Sequence, residues 1–129
     1  LNPAQRFETY ANLFPQERRK LLQRIQQEEI PGVIFLSGDR HHSEITRYDL
    51  NNDFYAIPEF TISPLTATAH DATAENNTLR VEGSMIGVRN FAILTLTGEK
   101  DGRRLEVEYF DSDGESLNTY TVRASELQP

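Results

Sequence analysis

The sequence predicts an α+β unit, in which an amino-terminal helix packs on a β-rich body that finishes in an antiparallel meander. Three observations carry this prediction. A helix-period stretch from Phe14 to Glu29 is stopped by Pro31-Gly32, the apolar run Val33-Ile34-Phe35-Leu36 follows at once, and the chain from Thr78 onward alternates apolar with polar side chains between turns bearing glycine and aspartate.

Each element has its own warrant. Residues 1–13 show no clear period, although Phe7, Tyr10 and Leu13 are spaced to share one helical face. The main helix rests on Pro15, which suits a first helical position where no N–H is needed, and on Glu17, whose charge complements the positive end of the dipole. Leu21, Leu22 and Ile25 supply a narrow apolar stripe. The helix should end near Glu29, because Glu28 and Glu29 sit where the dipole disfavours anions and Pro31-Gly32 cannot continue it. The run that follows, at residues 32–37, suits a buried strand covered on both faces.

Past Gly38, Ile45, Arg47 and Asp49 alternate with Thr46, Tyr48 and Leu50, a second strand ended by Asn51-Asn52-Asp53. Phe54 to Ile62 reads as a third strand; Pro58 places it at an edge or a bulge, since proline cannot donate to a ladder. Residues 63–77, rich in Ser, Thr, Ala, Asp and Asn, read as a long loop of the kind that often carries function. Leu79, Val81, Ile86 and Val88 begin the β pattern, which continues through Phe91–Leu96, Leu105–Phe110 and Leu117–Val122. Turns at Gly98–Gly102 and at Asp111-Ser112-Asp113-Gly114 supply residues that tolerate a left-handed backbone.

Composition bounds the function. A chain of 129 residues, 37% hydrophobic and 26% charged, is long enough to bury a core and forms a single unit, residues 1–129. Its net charge of −7 works against a nucleic-acid partner, whose affinity comes from lysine and arginine displacing counterions. With no cysteine there is no disulfide, thiolate metal site or cysteine nucleophile, so a metal would fall to Asp, His, Glu or Asn. The apolar runs are far shorter than the roughly 20 residues of a membrane span. The opening Leu-Asn-Pro, without initiator methionine or signal pattern, is the expected start of a processed protein or of a piece of a longer one.

The candidate chemistry is concentrated at the end of the apolar run, where Asp39, Arg40, His41, His42 and Glu44 crowd one polar turn. If extended geometry persists past Gly38, Asp39 and His41 point one way and Arg40 and His42 the other. An Asp-x-His pair can then hold one divalent ion through a hard carboxylate and a borderline imidazole. On the residues alone a second reading stands beside it: Asp39 caps backbone amides and His41 is an exposed or hydrogen-bonded ring. Lesser candidates are Asp111-Ser112-Asp113-Gly114, which begins like a calcium loop but lacks its closing ligands, and His70-Asp71, which could line an entrance. Asn76-Asn77-Thr78 matches a glycosylation pattern, and Ser37, Ser43 and Ser63 make no recognisable triad with the histidines.

Four stretches taken together resemble the carboxyl-terminal part of the PhoD-like alkaline phosphatases, within the metallophosphatase or calcineurin-like phosphoesterase superfamily. They are Glu17 to Leu22, Gly32 to Ile45, Phe60 to Thr66 and Gly87 to Leu94, of which Leu36-Ser37-Gly38-Asp39-Arg40-His41 is the most specific. The resemblance runs from about residue 15 to 127. It implies the second half of a metallophosphatase β-sandwich, acting on a phosphate-ester substrate at a multi-metal site of Ca, Fe, Zn or Mn. It also implies that Asp39 and His41 are metal ligands; Arg40, which has no firm role in the family motif, is read as a surface salt-bridge residue or a phosphate contact, His42 as supporting the site from behind or packing, and Glu44 as orienting a metal-bound histidine or as a solvated strand residue. A two-metal site needs more ligands than these, and the amino-terminal motifs that would provide them are absent from the chain. The expectation is therefore the carboxyl-terminal portion of a larger enzyme, inactive alone, whose missing amino-terminal portion completes the site. A homodimer through the apolar face so exposed and a periplasmic or secreted location are further expectations. The rival reading is a non-catalytic β-rich binding or interaction module.

Overall fold

The computed structural model describes residues 1–4, 9–50 and 53–129; Phe7, Asn51 and Asn52, named above, lie outside them. A one-turn helix α1 (Tyr10–Leu13) leads into α2 (Pro15–Gln27). Thr9 caps α1 by accepting the Asn12 amide at 3.3 Å. Phe14 gives α2 no side-chain cap, so the helix begins on Pro15, whose missing N–H needs no partner there. Leu22 and Ile25 are buried, but Leu21 is exposed, because adjacent residues diverge by about 100° around a helix.

The first sheet contains β1 (Phe35–Ser37), β2 (Glu44–Tyr48) and β3 (Ile57–Thr61), with β3 in the middle, parallel to β1 and antiparallel to β2. Two expectations are corrected here. Pro58 sits in the central strand rather than at an edge: β1 is so short that it pairs only with Glu59 to Thr61, which leaves Pro58 opposite Arg47 alone. The apolar run is likewise not covered on both faces. Phe35, Leu36 and Ser37 form an edge strand, and Leu36 is 58% exposed.

The second sheet is the predicted meander: β4 (Asn90–Thr97), β5 (Arg104–Asp111) and β6 (Ser116–Arg123), all antiparallel. The β5–β6 turn is a hairpin in which the Asp111 carboxylate accepts the amides of Asp113 and Glu115, both at 2.9 Å, with Gly114 at φ 87°. Its aspartate is thus spent on the turn. Residues 79–88 do not form the strands expected of them; they cross the free edge of β2 through isolated bridges, Ser43 to Ile86 and Thr46 to Arg80. Ser84 donates to the Val81 carbonyl at 2.7 Å there, breaking the alternation that a strand needs.

The core lies between the sheets and α2. Phe60, fully buried, pairs with Leu36 and Ile45, and its ring meets Tyr120 edge-on at 5.8 Å. Val107, Tyr109 and Val122 close it from the second sheet, and Leu22 and Ile25 from α2. No described helix is long and apolar enough to cross a membrane.

Candidate functional site

β1 delivers the chain to the turn Gly38–Ser43, and β2 carries it away. The backbone of this turn departs from the sequence expectation. Extended geometry does not persist past Gly38; Asp39 and His41 both adopt left-handed conformations, with φ 65° and 58°. Gly38 itself does not, so the sharp reversal is carried by two residues with side chains. A left-handed backbone costs an L-residue roughly 1–2 kcal/mol, eased for Asp by local hydrogen bonding. The surroundings hold His41 in place: its N–H donates to Ser63 Oγ at 3.2 Å, and its carbonyl accepts the His70 N–H at 2.7 Å. Asp39 and His41 are both exposed.

The ion pairs at the turn belong to their neighbours. Arg40 is tied to Glu75 at 2.6 Å, and His70 Nε2 lies 3.1 Å from the other oxygen of the same carboxylate. His42 is completely buried; because a carbonyl can only accept, its Nδ1 donates to the Arg40 carbonyl at 2.9 Å. Its Nε2 has no hydrogen-bond partner among the described residues and faces Glu44 Oε1 at 3.7 Å.

Glu44 accepts from Arg80 Nε at 2.6 Å and from Asn77 Nδ2 at 2.9 Å. Burial pushes its carboxyl up, but His42 and Arg80 together outweigh that, so it titrates below the usual 4.5. At 3.7 Å the His42 contact is too long for a hydrogen bond, which makes Arg80 the stronger partner. A depressed folded-state value means that this contribution to stability is complete above the unfolded value and is lost as pH falls through the folded one. Urea midpoints measured from about pH 7 down to pH 3 should therefore show Glu44→Gln less stable than the parent at neutral pH, with the gap closing in acid. A constant gap would mean that the carboxylate's charge is immaterial.

Behind the turn, three sequence segments lock together. Ser43 Oγ donates to Asn90 Oδ1 at 2.6 Å and accepts the Ser63 N–H at 2.9 Å, while Asn90 Nδ2 donates to the Ser63 and Val88 carbonyls at 3.0 and 2.7 Å. All three residues are buried, so the network anchors the Gly38–Ser43 turn to the start of β4. Ser37 is similarly engaged with Thr61 Oγ1 at 3.0 Å. The serines therefore do structural work, in keeping with the absence of a triad pattern.

Sequence reasoning does not single out Glu75 or Arg80, and it meets Asn77 only inside a glycosylation pattern. They lie some thirty residues from the turn in a loop of ordinary polar composition, and only the bridges to β2 bring them to it. A cleft of about 160 Å³ opens beside this cluster, lined by Ser37, Gly38, Arg40, Glu44 and Glu75 among others. Asp39 and His41 do not line it. Among the described residues no three His, Asp or Glu side chains gather closely enough to hold a metal ion. The donor types of Asp39 and His41 suit a divalent or trivalent ion, as part of a larger ligand set.

The model of one protein family, described as PhoD-like phosphatase, matches residues 9–105, about three quarters of the chain. The match takes in both helices, the first sheet, the turn and β4, and it stops at the start of β5. No curated protein and no solved structure matches the chain.

Proposed function

Because the chain belongs to the PhoD-like phosphatase family, we propose that it forms the carboxyl-terminal part of a phosphoesterase that hydrolyses phosphate esters at a multi-metal site, with Asp39 and His41 among the ligands. The observation that supports this best is the pair of left-handed, exposed, non-glycine residues at the end of β1. Strain of that kind persists only where the surroundings over-determine it, and it clusters at functional sites. Asp39 and His41 would hold a Ca, Fe, Zn or Mn ion, which when bound polarises the phosphoryl oxygens.

The other residues position this pair. Ser63 and His70 grip the His41 backbone from both sides. Arg80 and Asn77 fix the Glu44 carboxylate against the buried His42 ring, a rigid floor under the turn. Arg40, held by Glu75, would reach a phosphate only by leaving that carboxylate.

The remaining ligands would come from a separate, amino-terminal portion. Ile93, 51% exposed, shares one face of β4 with Phe91, whose ring stacks on Phe110 of β5, and this face offers an apolar surface for that portion, or for a second copy when it is missing. An exported, periplasmic or secreted, location belongs to the same proposal and rests on the family alone. The competing reading, a non-catalytic β-rich binding module with a structural turn, draws on the absence of a three-ligand group among the described residues.

The chain by itself is accordingly expected to turn over an aryl phosphate no faster than buffer, to bind divalent ions weakly, and to sediment as a dimer. Robust, chelator-sensitive turnover would overturn the incomplete-site reading. If a completed protein carrying the amino-terminal portion is also inactive, the binding-module reading prevails.

A further inference from the structure

The edge strand of a sheet presents a row of unpaired N–H and C=O groups, which proteins ordinarily blunt with brevity, charge, proline, a bulge or a covering segment. Three of the strands at the margins of the two sheets are blunted in this way. Residues 79–88 cover β2, where the Ser43 N–H donates to the Ile86 carbonyl and the Arg47 N–H to the Leu79 carbonyl, both at 2.9 Å. β1 is only three residues long. β6 ends on Arg123 and carries a register shift opposite Tyr109 and Phe110. β4 has none of these protections: Asn90–Thr97 runs for eight residues in unbroken register with β5, without charge or proline.

The hydrogen bonds fix which of its backbone groups are free. The Asn90 N–H points away from β5 and donates to the Pro64 carbonyl at 2.9 Å. Successive residues of an antiparallel strand turn their backbone groups to alternate sides, so Phe91, Ile93, Thr95 and Thr97 bond to β5, whereas Ala92, Leu94 and Leu96 direct theirs outward. Among the described residues no other segment bonds to the backbone of those three. Their side chains stand opposite Tyr109, Val107 and Leu105, on the core-facing side of the sheet. Leu94 and Leu96 are nevertheless 37% and 63% exposed, because the apolar face runs out to an open margin.

We infer that β4 pairs with β4 of a second copy of this chain, antiparallel about a two-fold axis at Leu94, so that the two second sheets become one. Centring on Leu94 sets that residue against its own copy and Ala92 against Leu96 of the second copy, and all three exchange both of their backbone bonds. The neighbouring registers do worse. A shift toward Asn90 meets an N–H already given to Pro64, and a shift toward Gly98 runs into the turn, where φ is 79°. The side chains agree with the central register: small Ala92 faces large Leu96 on the apolar side, and β-branched Ile93 faces β-branched Thr95 on the other. With no charge in β4, the seam sets no like charges opposite one another, although the chain as a whole carries −7. These are matches of β4 with itself, and they favour a second copy over an unrelated strand. The seam uses the edge of β4 rather than its Phe91–Ile93 face and no residue of the Asp39 turn, so it does not rest on the phosphatase reading.

The test is sedimentation velocity of the whole chain from about 1 to about 200 µM, with amide hydrogen exchange read residue by residue at both ends of that range. A monomer–dimer equilibrium is expected, since a seam of one strand pair belongs with the small, weak interfaces. The amides of Ala92, Leu94 and Leu96 should exchange at least about tenfold more slowly in the concentrated sample, while those of Ile93 and Thr95 are protected at both concentrations by β5. Leu94→Lys sets like charges opposite at the axis and should weaken association about tenfold or more, with Ile93 and Thr95 still protected. Ile93→Thr keeps a β-branched residue opposite Thr95 and should leave association within about threefold, whereas a dimer formed through the Phe91–Ile93 face would lose it. Should Leu94→Lys fail to fold, the amide pattern of the parent chain still decides. A monomer at every concentration, new protection on Ile93 and Thr95 instead of on Ala92, Leu94 and Leu96, undiminished association of a folded Leu94→Lys, or loss of the dimer in Ile93→Thr would each overturn the inference.

Discussion

Replacing Asp39 or His41 by alanine in the complete protein is expected to lower phosphatase kcat/KM by roughly 100-fold or more, a loss of about 3 kcal/mol of transition-state stabilisation. The melting temperature should stay within a few degrees of the parent's. Both side chains are exposed and the ion pairs around them are made by Arg40, His70, Glu44 and Arg80, so truncation removes chemistry without opening the core. Alanine bears the full left-handed backbone cost, which Asp eases by local hydrogen bonding, so Asp39→Ala should lose slightly more stability than His41→Ala.

A companion variant separates function from structure. His41→Gly removes the cost of a left-handed L-residue and pays only the smaller entropy penalty of glycine, for a net gain of up to about 1 kcal/mol. A more stable but inactive protein is the signature of a strained functional residue. Retained activity in either alanine variant would sink the ligand assignment. An inactive His41→Ala that has also lost several kcal/mol of stability would assign His41 a structural role instead.

The second large effect is on stability. Phe60→Ala should cost about 3–5 kcal/mol, measured as a fall in the urea midpoint at unchanged slope, because it deletes a fully buried ring and leaves a cavity. Phe60 lies where β1, β3 and β2 meet in register, and its ring is the edge-on contact with Tyr120 of the second sheet, so the cavity would open between the sheets. Leu36→Ala, one strand away and 58% exposed, should cost well under about 1 kcal/mol. Similar losses for the two would mean that the sheets do not pack through Phe60.

Local chemistry made several features readable in advance. Pro15, Glu17 and Pro31-Gly32 delimit α2 because capping and ring constraints act within one turn. The meander was equally legible, since glycine and aspartate turns set the hairpins whatever else the chain does. The crowd of ligand-type residues after the apolar run marked the turn and suggested the family to which the chain belongs.

Tertiary structure decided the rest. Whether Pro58 lies in a central strand depends on how far β1 extends beside it, and the burial of Leu36 depends on whether another strand covers it; neither is a property of the local sequence. The same holds for the site. The spacing of Asp39 and His41 implied a shared direction only while the strand stayed extended, and it is the grip of Ser63 and His70, over twenty residues away, that bends the chain into left-handed geometry. Glu75, Asn77 and Arg80 reach the turn because residues 79–88 close the edge of β2, a long-range pairing that leaves no periodic trace in composition. The amino-acid sequence by itself thus determined which side-chain types stand at the turn after β1 and where α2 and the meander's turns lie, because those depend on side-chain type and on neighbours within a turn. Which of those residues meet, and in what backbone conformation, was decided only by contacts between segments far apart in the chain.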